Sequence, residues 1–316
     1  MKLLALLLAF VSFCAQAQPF PSRPVRIMVG SAAGGGTDIV SRLLAAKLQE
    51  AWGQPVLVEN RTGASASIAA DFVAKSPPDG YTVVMAVPNS HTIAPHLIKL
   101  PYDPLRDFTP ITLAVQVPHV LVVGQGSSVN SMRELVELAR ANPGKLNFSS
   151  SGVGATQHLA GELFNLVTGV KTVHIPYKGS AAAMGDLIAG AVTMSFDTTA
   201  SSIGNIRAGK LRALAVAAPA RAAALQDVPT TAEAGFPGVE MITWYGLFGP
   251  ANMPRALTAK WQQDVARALA LPDIRERVAG LAGEPGGNPP EEFAAYIREQ
   301  YAKMGRLVKD AGVRAE

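Results

Sequence analysis

The feature that most constrains this chain is a strand, a glycine-rich turn and a helix in direct succession, between Val25 and Arg42. Val25–Val29 is apolar except for Arg26 and predicts a buried strand, and residues 34–36 are all glycine. Thr37 or Asp38 is predicted to cap a helix with apolar residues at helical spacing. Glycine exposes backbone N–H groups, and a helix N-terminus is electropositive, so this unit can bind an anion. The spacing is not that of a P-loop or a dinucleotide site, and a simple turn without a ligand stays an alternative.

The same unit recurs in the second half of the chain. Lys145–Ser149 predicts a strand, Ser150–Thr156 a loop of small residues, and Gln157–Thr168 a helix that Gly169 ends. Two such units on facing lobes would hold a molecule with negative charge at both ends. This duplication is the clearest indication of function that the residues themselves give.

Strands and helices alternate along the chain, which predicts an α/β fold with mostly parallel sheets and helices on both faces. Ligands of such sheets bind at the carboxyl ends of the strands. We therefore expect three loops of the first lobe to meet at one rim: Ser31–Thr37, Asn60–Ser67 and Pro88–Thr92.

Two stretches are predicted to cross between the lobes. One consists of the β runs Ile111–Gln116 and Val120–Val123, which flank Pro118, and the other lies within Glu240–Gly249. The expected division is a signal peptide at 1–17, a first lobe of 18–118 plus 243–316, and a second lobe of 119–242.

Residues 1–17 have the pattern of a secretory signal peptide: Lys2, the apolar run Leu3–Val11, and the small-x-small cleavage site Ala15-Gln16-Ala17. The apolar run is too short to span a bilayer. The only cysteine, Cys14, lies within this segment, so a chain cleaved after Ala17 has no disulfide. We expect a mature protein that is secreted and does not span a membrane.

Composition narrows the classes of partner and chemistry. The net charge of +4 comes without a run of basic residues, which disfavours nucleic acid and suits a small anion. The five histidines form no H-E-x-x-H motif or Cys/His cluster, and no G-x-S-x-G is present. We therefore predict no metal, no cofactor and no enzymatic activity.

Three side chains have two interpretations each. His158 lies in the first turn of the second-lobe helix, where it can reach a ligand or bond to nearby backbone. Lys178 follows a predicted strand and is either an electrostatic contact or simply solvated. Asp38 is expected to cap its own helix and rigidify the turn, since a bare carboxylate would repel an anion.

Eight segments, in order through nearly the whole mature chain, match a known pattern. They are Gly34–Asp38, Pro77–Tyr81, Ala141–Leu146, Ser150–Gly154, His158–Glu162, Ile175–Ser180, Gly209–Ala215 and Val228–Gly235. In these segments the chain resembles the solute-binding receptors of the tripartite tricarboxylate transporter system, the Bug (TctC-like) family.

The resemblance implies a type II periplasmic-binding-protein fold, two lobes joined by two crossing strands that close on a small carboxylate, and a membrane permease as partner. A periplasmic location and a monomeric state are likewise what the resemblance implies. It also implies that the loops Ser31–Thr37 and Ser150–Thr156 bind the carboxylate through backbone N–H groups and bridging waters. The Asn60–Ser67 loop and the Asp197 loop would form the other walls. The candidate contacts are Ser31, Ala32, Ala33, Gly34, Gly35, Gly36, Thr37, Asp38, Gly63, Ser65, Ser67, Asn89, Ser151, Gly152, Val153, Gly154, Ala155, Thr156, His158, Tyr177, Lys178 and Asp197.

The chain departs from the family pattern at two places. Ala33 stands where the family usually has proline, and Gly63–Ser67 replaces a glycine-rich turn with asparagine. Both changes leave the ligand open among di-, tri- and aromatic carboxylates and amides such as nicotinamide. A periplasmic sensor kinase is an alternative to the permease.

Overall fold

The computed structural model describes residues 20–314. The predicted signal peptide lies outside the described residues. Within 20–314, every helix is too short or too polar to cross a membrane.

The strands and helices follow the predicted alternation. The strands are β1 (Val25–Val29), β2 (Val56–Asn60), β3 (Thr82–Ala86), β4 (Phe108–Gly124), β5 (Asn147–Ser150), β6 (Val173–Pro176), β7 (Met194–Thr198), β8 (Leu211–Val216), β9 (Ile242–Pro250) and β10 (Glu284–Pro285). The α-helices are α1 (Gly36–Trp52), α2 (Ser67–Ala74), α3 (Met132–Ala141), α4 (Thr156–Thr168), α5 (Ser180–Ala189), α6 (Thr199–Arg207), α7 (Arg255–Ala270), α8 (Pro272–Gly280) and α9 (Pro290–Asp310).

The strands form one curled sheet in the order β2-β1-β3-β9-β4-β7-β5-β6, and β8 and β10 also pair with β4. β1 is parallel to β2 and β3, and β5 is parallel to β6 and β7. Each parallel group is built from strand–helix–strand units, since parallel neighbours need a crossover connection. The parallel strands therefore end at the same edge within each lobe.

The antiparallel strands β4 and β9 join the two lobes. β4 pairs with β9 from Phe108 to Pro118, and from His119 onward it pairs with β7 and β8. The two β runs predicted around Pro118 are thus one strand, and Pro118 lies where that strand changes partners. We propose that the lobes meet in sequence at 118/119 and at 242/243, as predicted from the sequence.

Helix α9 packs on both lobes. Phe293 and Ile297 lie in a core cluster with strands of the first lobe, whereas Met304 and Val308 lie in the core of the second lobe. Ile93, from the turn after β3, also belongs to the second-lobe core. These contacts cross the predicted boundary between the two lobes.

Several local predictions hold, and some elements were missed. The sequence predicts Ser131 as the N-cap of the helix 132–141, and the apolar spacing around Trp261 predicts that it packs in a core. Ser131 does cap α3, by accepting a hydrogen bond from the Glu134 amide, and Trp261 is fully buried in the first-lobe core. Helices α6 and α8 were not predicted. The α6 segment is rich in serine and threonine, which are poor helix formers, and its start is fixed by Thr198, which accepts from the Ser201 amide.

Candidate functional site

A cavity of about 350 Å³ lies between the lobes at the carboxyl ends of the parallel strands. Loops after β1, β2 and β3 line it from the first lobe, and loops after β5, β6 and β7 line it from the second. The crossing strand β9 forms its base through Thr243 and Tyr245. A volume of this size suits a small ligand.

Most of the predicted contacts line this cavity. They are Ser31, Ala32, Gly35, Gly36, Thr37, Gly63, Ser65, Asn89, Ser151, Gly152, Val153, Thr156, Tyr177 and Lys178. The structure thus brings the two glycine loops and the Asn60–Ser67 loop together, although they are far apart in sequence.

The other predicted contacts lie next to the cavity without lining it. They are Ala33, Gly34, Asp38, Ser67, Gly154, Ala155, His158 and Asp197. Ala33 and Gly34 point to the exposed outer side of the first loop, whereas Asp38, His158 and Asp197 are buried behind their loops.

Asp38 braces the first glycine loop from behind. The helix begins at Gly36 with Gly35 as its N-cap, so the prediction that Thr37 or Asp38 caps it was wrong. The Asp38 carboxylate instead accepts from the Gly34 amide at 3.0 Å and from Asn60 Nδ2 at 2.9 Å, and pairs with Arg42. Burial raises the pKa of Asp38, but these hydrogen bonds outweigh it and hold the pKa below its usual value. The loop therefore keeps an ionised brace.

The second glycine loop presents the N-terminus of α4 to the same cavity. Ala155 is the N-cap of this helix, and Gly152 and Gly154 have φ of +136° and +71°. A side chain at either glycine would be strained, so this loop shape depends on glycine. The two helix N-termini, α1 and α4, direct their positive ends toward one space.

A strained turn forms a third wall. Ala64, Ser65 and Ala66 have φ of 43°, 54° and 70°, a left-handed conformation that costs roughly 1–2 kcal/mol for each residue with a Cβ. Ser65 Oγ donates to Val153 O at 2.5 Å across the lobes. Strain of this kind persists where the surrounding structure enforces it, which is typical of ligand clamps.

Further hydrogen bonds hold the two lobes closed around the cavity. The Gly36 amide donates to Ser201 Oγ at 3.1 Å, and the Thr156 amide donates to Asn89 Oδ1 at 3.1 Å. Each bond joins a helix N-terminus of one lobe to a side chain of the other. The loops that are predicted to bind a ligand therefore also connect the two lobes.

More of the cavity lining is apolar than polar, and the cavity is nearly uncharged. Among residues 20–314, Lys178 is the only charged residue that lines it, and Lys178 is exposed at the rim. Ser31 Oγ is buried and has no hydrogen-bond partner in the protein, so it is free to bond a ligand. An apolar wall comes from Val87, Ala94 and Leu97.

Gln157 separates the buried Asp197 from the cavity. Its Nε2 donates to Asp197 Oδ1 at 3.3 Å and to Ser180 Oγ at 2.9 Å, while its Oε1 accepts from Ser151 Oγ. Burial raises the pKa of Asp197, against the hydrogen bonds that it accepts. Gln157 and Tyr245 were not predicted as lining residues, because no motif marks them and only packing brings them to the cavity.

His158 faces away from the cavity, and its Nδ1 accepts from the Gly154 amide at 3.1 Å. This is the backbone-bonded alternative of its two interpretations. In the part of the chain that the structure describes, no three His, Cys, Asp or Glu side chains are placed to hold a metal ion.

Comparison with known proteins gives a consistent result. The family model of the tripartite tricarboxylate transporter family receptor matches residues 40–313. Among solved structures, the chain is similar to Rpa4515 of R. palustris with adipate, at 36% identity and a TM-score of 0.91 over 93% of this chain and 99% of that one.

Two further structures agree. The periplasmic binding protein BugD is 36% identical, with a TM-score of 0.89 over 94% of this chain and 100% of that one. MatC (Rpa3494) from Rhodopseudomonas palustris with bound malate is 32% identical, with a TM-score of 0.86 over 92% and 100%. The fold is that of a type II periplasmic binding protein, and the chain belongs to the tripartite tricarboxylate transporter family of solute-binding receptors, the TctC or Bug family.

Proposed function

We propose that this protein captures a small carboxylate in the cavity between its lobes and delivers it to a tripartite tricarboxylate transporter permease. The observation that carries the proposal is that two helix N-termini, those of α1 and α4, face one cavity that no acidic side chain of residues 20–314 lines. Two similar structures hold adipate and malate, both carboxylates.

The residues supply the binding energy through backbone groups and hydroxyls. A hydrogen bond to a charged group contributes about 1.5–3 kcal/mol net, and backbone amides at a helix start lack intrahelical acceptors. Ser31, Thr37 and Lys178 add two hydroxyls and one ammonium group. We propose that one carboxylate lies at the α1 and α4 N-termini while the carbon skeleton lies against Val87 and Leu97.

Closure of the two lobes and binding of the ligand are thermodynamically coupled. A ligand stabilises only the conformation that it binds better, and the cavity exists only where both lobes meet. We propose that the closed form, held by the Ser65–Val153 and Gly36–Ser201 bonds, is what the permease recognises.

The alternative ligand is an amide or another uncharged molecule such as nicotinamide. The observation that favours it is the scarcity of charge in the cavity, where Lys178 stands alone and is exposed. A sensor kinase is an alternative receiver. We propose further that the mature protein is periplasmic, monomeric and binds its ligand without changing it.

A thermal-shift screen tests the proposal. The mature chain without residues 1–17 is refolded to remove carried-over ligand and heated with mono-, di-, tri- and aromatic carboxylates and with nicotinamide. A ligand at about 100 times its Kd adds about 2.7 kcal/mol, which raises the Tm by several degrees. A rise with acids supports the proposal, and a rise with nicotinamide alone supports the alternative. Recovery of a chemically altered ligand would refute the receptor role.

A further inference from the structure

Two stacked imidazole rings lie behind the second glycine loop. His158 of α4 and His174 of β6 have ring centroids 3.7 Å apart and planes 6° from parallel. Gly154 N–H donates to His158 Nδ1 at 3.1 Å, and His174 Nε2 shares a hydrogen bond with Ser150 Oγ at 2.6 Å. Neither ring lines the ligand cavity.

We propose that the His158–His174 pair positions the backbone of the second glycine loop, which lines the cavity, and that it does so only while His158 is neutral. Ligand affinity should then fall in acid. The inference rests on the proposed binding function and adds to it the residues that set the geometry of one binding loop.

The contacts reach the cavity in two steps. Ser150 Oγ accepts from the Gly152 amide at 3.1 Å and lies 2.9 Å from Gly152 O, and Gly152 lines the cavity. A hydroxyl has one hydrogen, so all three Ser150 contacts are satisfied only if His174 Nε2 carries a proton and donates it. His174 thereby fixes Ser150, and Ser150 fixes the peptide of Gly152.

The second path runs through His158. Because its Nδ1 accepts from Gly154 N–H, the ring proton of the neutral form lies on Nε2, 3.7 Å from Glu162 Oε1. An imidazolium carries hydrogens on both nitrogens. Protonation therefore places a donor against the Gly154 N–H and removes this support from the loop.

The charges around the pair determine where a proton goes. Glu162, on the same helix, favours a positive His158, whereas the stacked His174 opposes a second charge. Burial, and then the charge of His158, lower the pKa of His174 to about 4. The C-terminal segment contributes Arg314, which lines a small cavity of about 260 Å³ together with His158, Glu162 and His174. Two positive charges on the stacked rings would repel each other, so His174 stays neutral beside a charged His158.

Nuclear magnetic resonance of the ligand-free mature chain tests the positioning directly. The Gly154 amide shift should change in step with protonation of the His158 ring, and the ring signals are followed in the same pH series. His158→Gln keeps a possible acceptor but cannot titrate, so the Gly154 shift should become independent of pH. Glu162→Gln should move the midpoint to lower pH, because it removes the charge that favours the protonated ring. His96→Gln is the matched control, since His96 bonds to Tyr301 O outside this loop.

Affinity for adipate and for malate at pH 8 and pH 5.5 tests the consequence. Between pH 8 and pH 5.5, the affinity of the native chain should fall by a factor about five times larger than the factor by which the affinity of His158→Gln falls. A factor of about five corresponds to the loss of about one hydrogen bond. This ratio cancels the titration of the ligand itself.

The outcomes separate the two proposals. The positioning role would be overturned if the Gly154 amide shift were independent of pH in the native chain. It would also be overturned if that shift changed equally with pH in His158→Gln. If Gly154 behaves as expected but neither acid binds, the positioning role stands and the carboxylate proposal loses its support. Equal pH dependence of affinity in the native chain and His158→Gln would overturn the effect on binding.

Discussion

Adding a single methyl group at Gly36 should measurably affect both the stability of the protein and its affinity for the ligand. Gly36 is the first residue of α1, where the backbone accommodates alanine. An added Cβ would lie less than 3.0 Å from Tyr245 Oη, and 3.1 Å from Ala200 Cβ and Thr198 Oγ1. The first neighbour belongs to the crossing strand β9 and the other two to the second lobe. Gly36→Ala therefore overfills the base of the cavity.

The size of the effect follows from these contacts. Overpacking a well-packed site by one methyl costs about 1–3 kcal/mol, and the better helix propensity of alanine returns at most about 1 kcal/mol. We expect Gly36→Ala to lower the free energy of unfolding by about 1–2 kcal/mol. Because two of the three contacts come from the second lobe, ligand affinity should fall about tenfold.

A double-mutant cycle with Tyr245→Phe isolates the cause. Removing the Tyr245 hydroxyl removes the shortest of the three contacts, while those to Ala200 and Thr198 remain. Gly36→Ala should therefore cost about 1 kcal/mol less in that background, a coupling energy typical of residues in direct contact. Urea unfolding followed by both circular dichroism and tryptophan fluorescence measures it and checks for a two-state transition.

Gly185→Ala provides the control. Gly185 is exposed within α5, and an added Cβ would meet no heavy atom within 4 Å. This variant should gain up to about 1 kcal/mol and bind normally. A coupling energy near zero between Gly36→Ala and Tyr245→Phe would refute the steric reasoning.

Three further perturbations test other parts of the site and the core. Ser65→Ala removes the bond to Val153 O and should weaken binding about two- to tenfold in isothermal titration, with an unchanged Tm of the free protein arguing against a folding defect. Asp38→Asn loses the ionised brace of the first loop. The pKa of Asp38 is lowered in the folded chain, so its carboxylate stabilises the fold above about pH 4, and this stabilisation is lost as the pH falls further. The free energy of unfolding of Asp38→Asn should therefore be lower than that of the native chain at pH 7, and it should decrease less in acid. Burial lowers the pKa of His91 to about 3, whereas an unfolded histidine titrates near about 6.5. The free energy of unfolding should therefore fall as the pH drops below about 6.5, by up to about 1.4 kcal/mol per pH unit for this residue. His91→Phe should remove this contribution, which corresponds to one proton taken up on unfolding. An unchanged pH dependence in the variant would contradict the buried neutral state of His91.

A bulky β-branched residue in either glycine loop should abolish ligand binding, but Gly35 and Gly152 differ in how well the fold tolerates it. Gly152 has φ of +136°, so any side chain there strains the loop itself. Gly35→Val remains the cleaner test, because Gly35 has an ordinary φ of −73°.

Local chemistry made much of the fold predictable. Apolar periodicity defined β1 and α2 with their observed bounds, and a capping serine and a left-handed glycine set the start of α3 and the end of α4. The two strand–glycine turn–helix units were visible for the same reason. Each is specified by residues that neighbour one another in the chain.

The sequence by itself therefore determined the alternation of elements, the two glycine-rich turns and the edge of the sheet where they meet. Only the tertiary structure decided that the Asp38 and His158 side chains do not line the cavity, that Gln157 and Tyr245 do, and that α9 packs on both lobes. The physical reason is that periodicity and capping report which face of an element is buried, but not which distant element buries it.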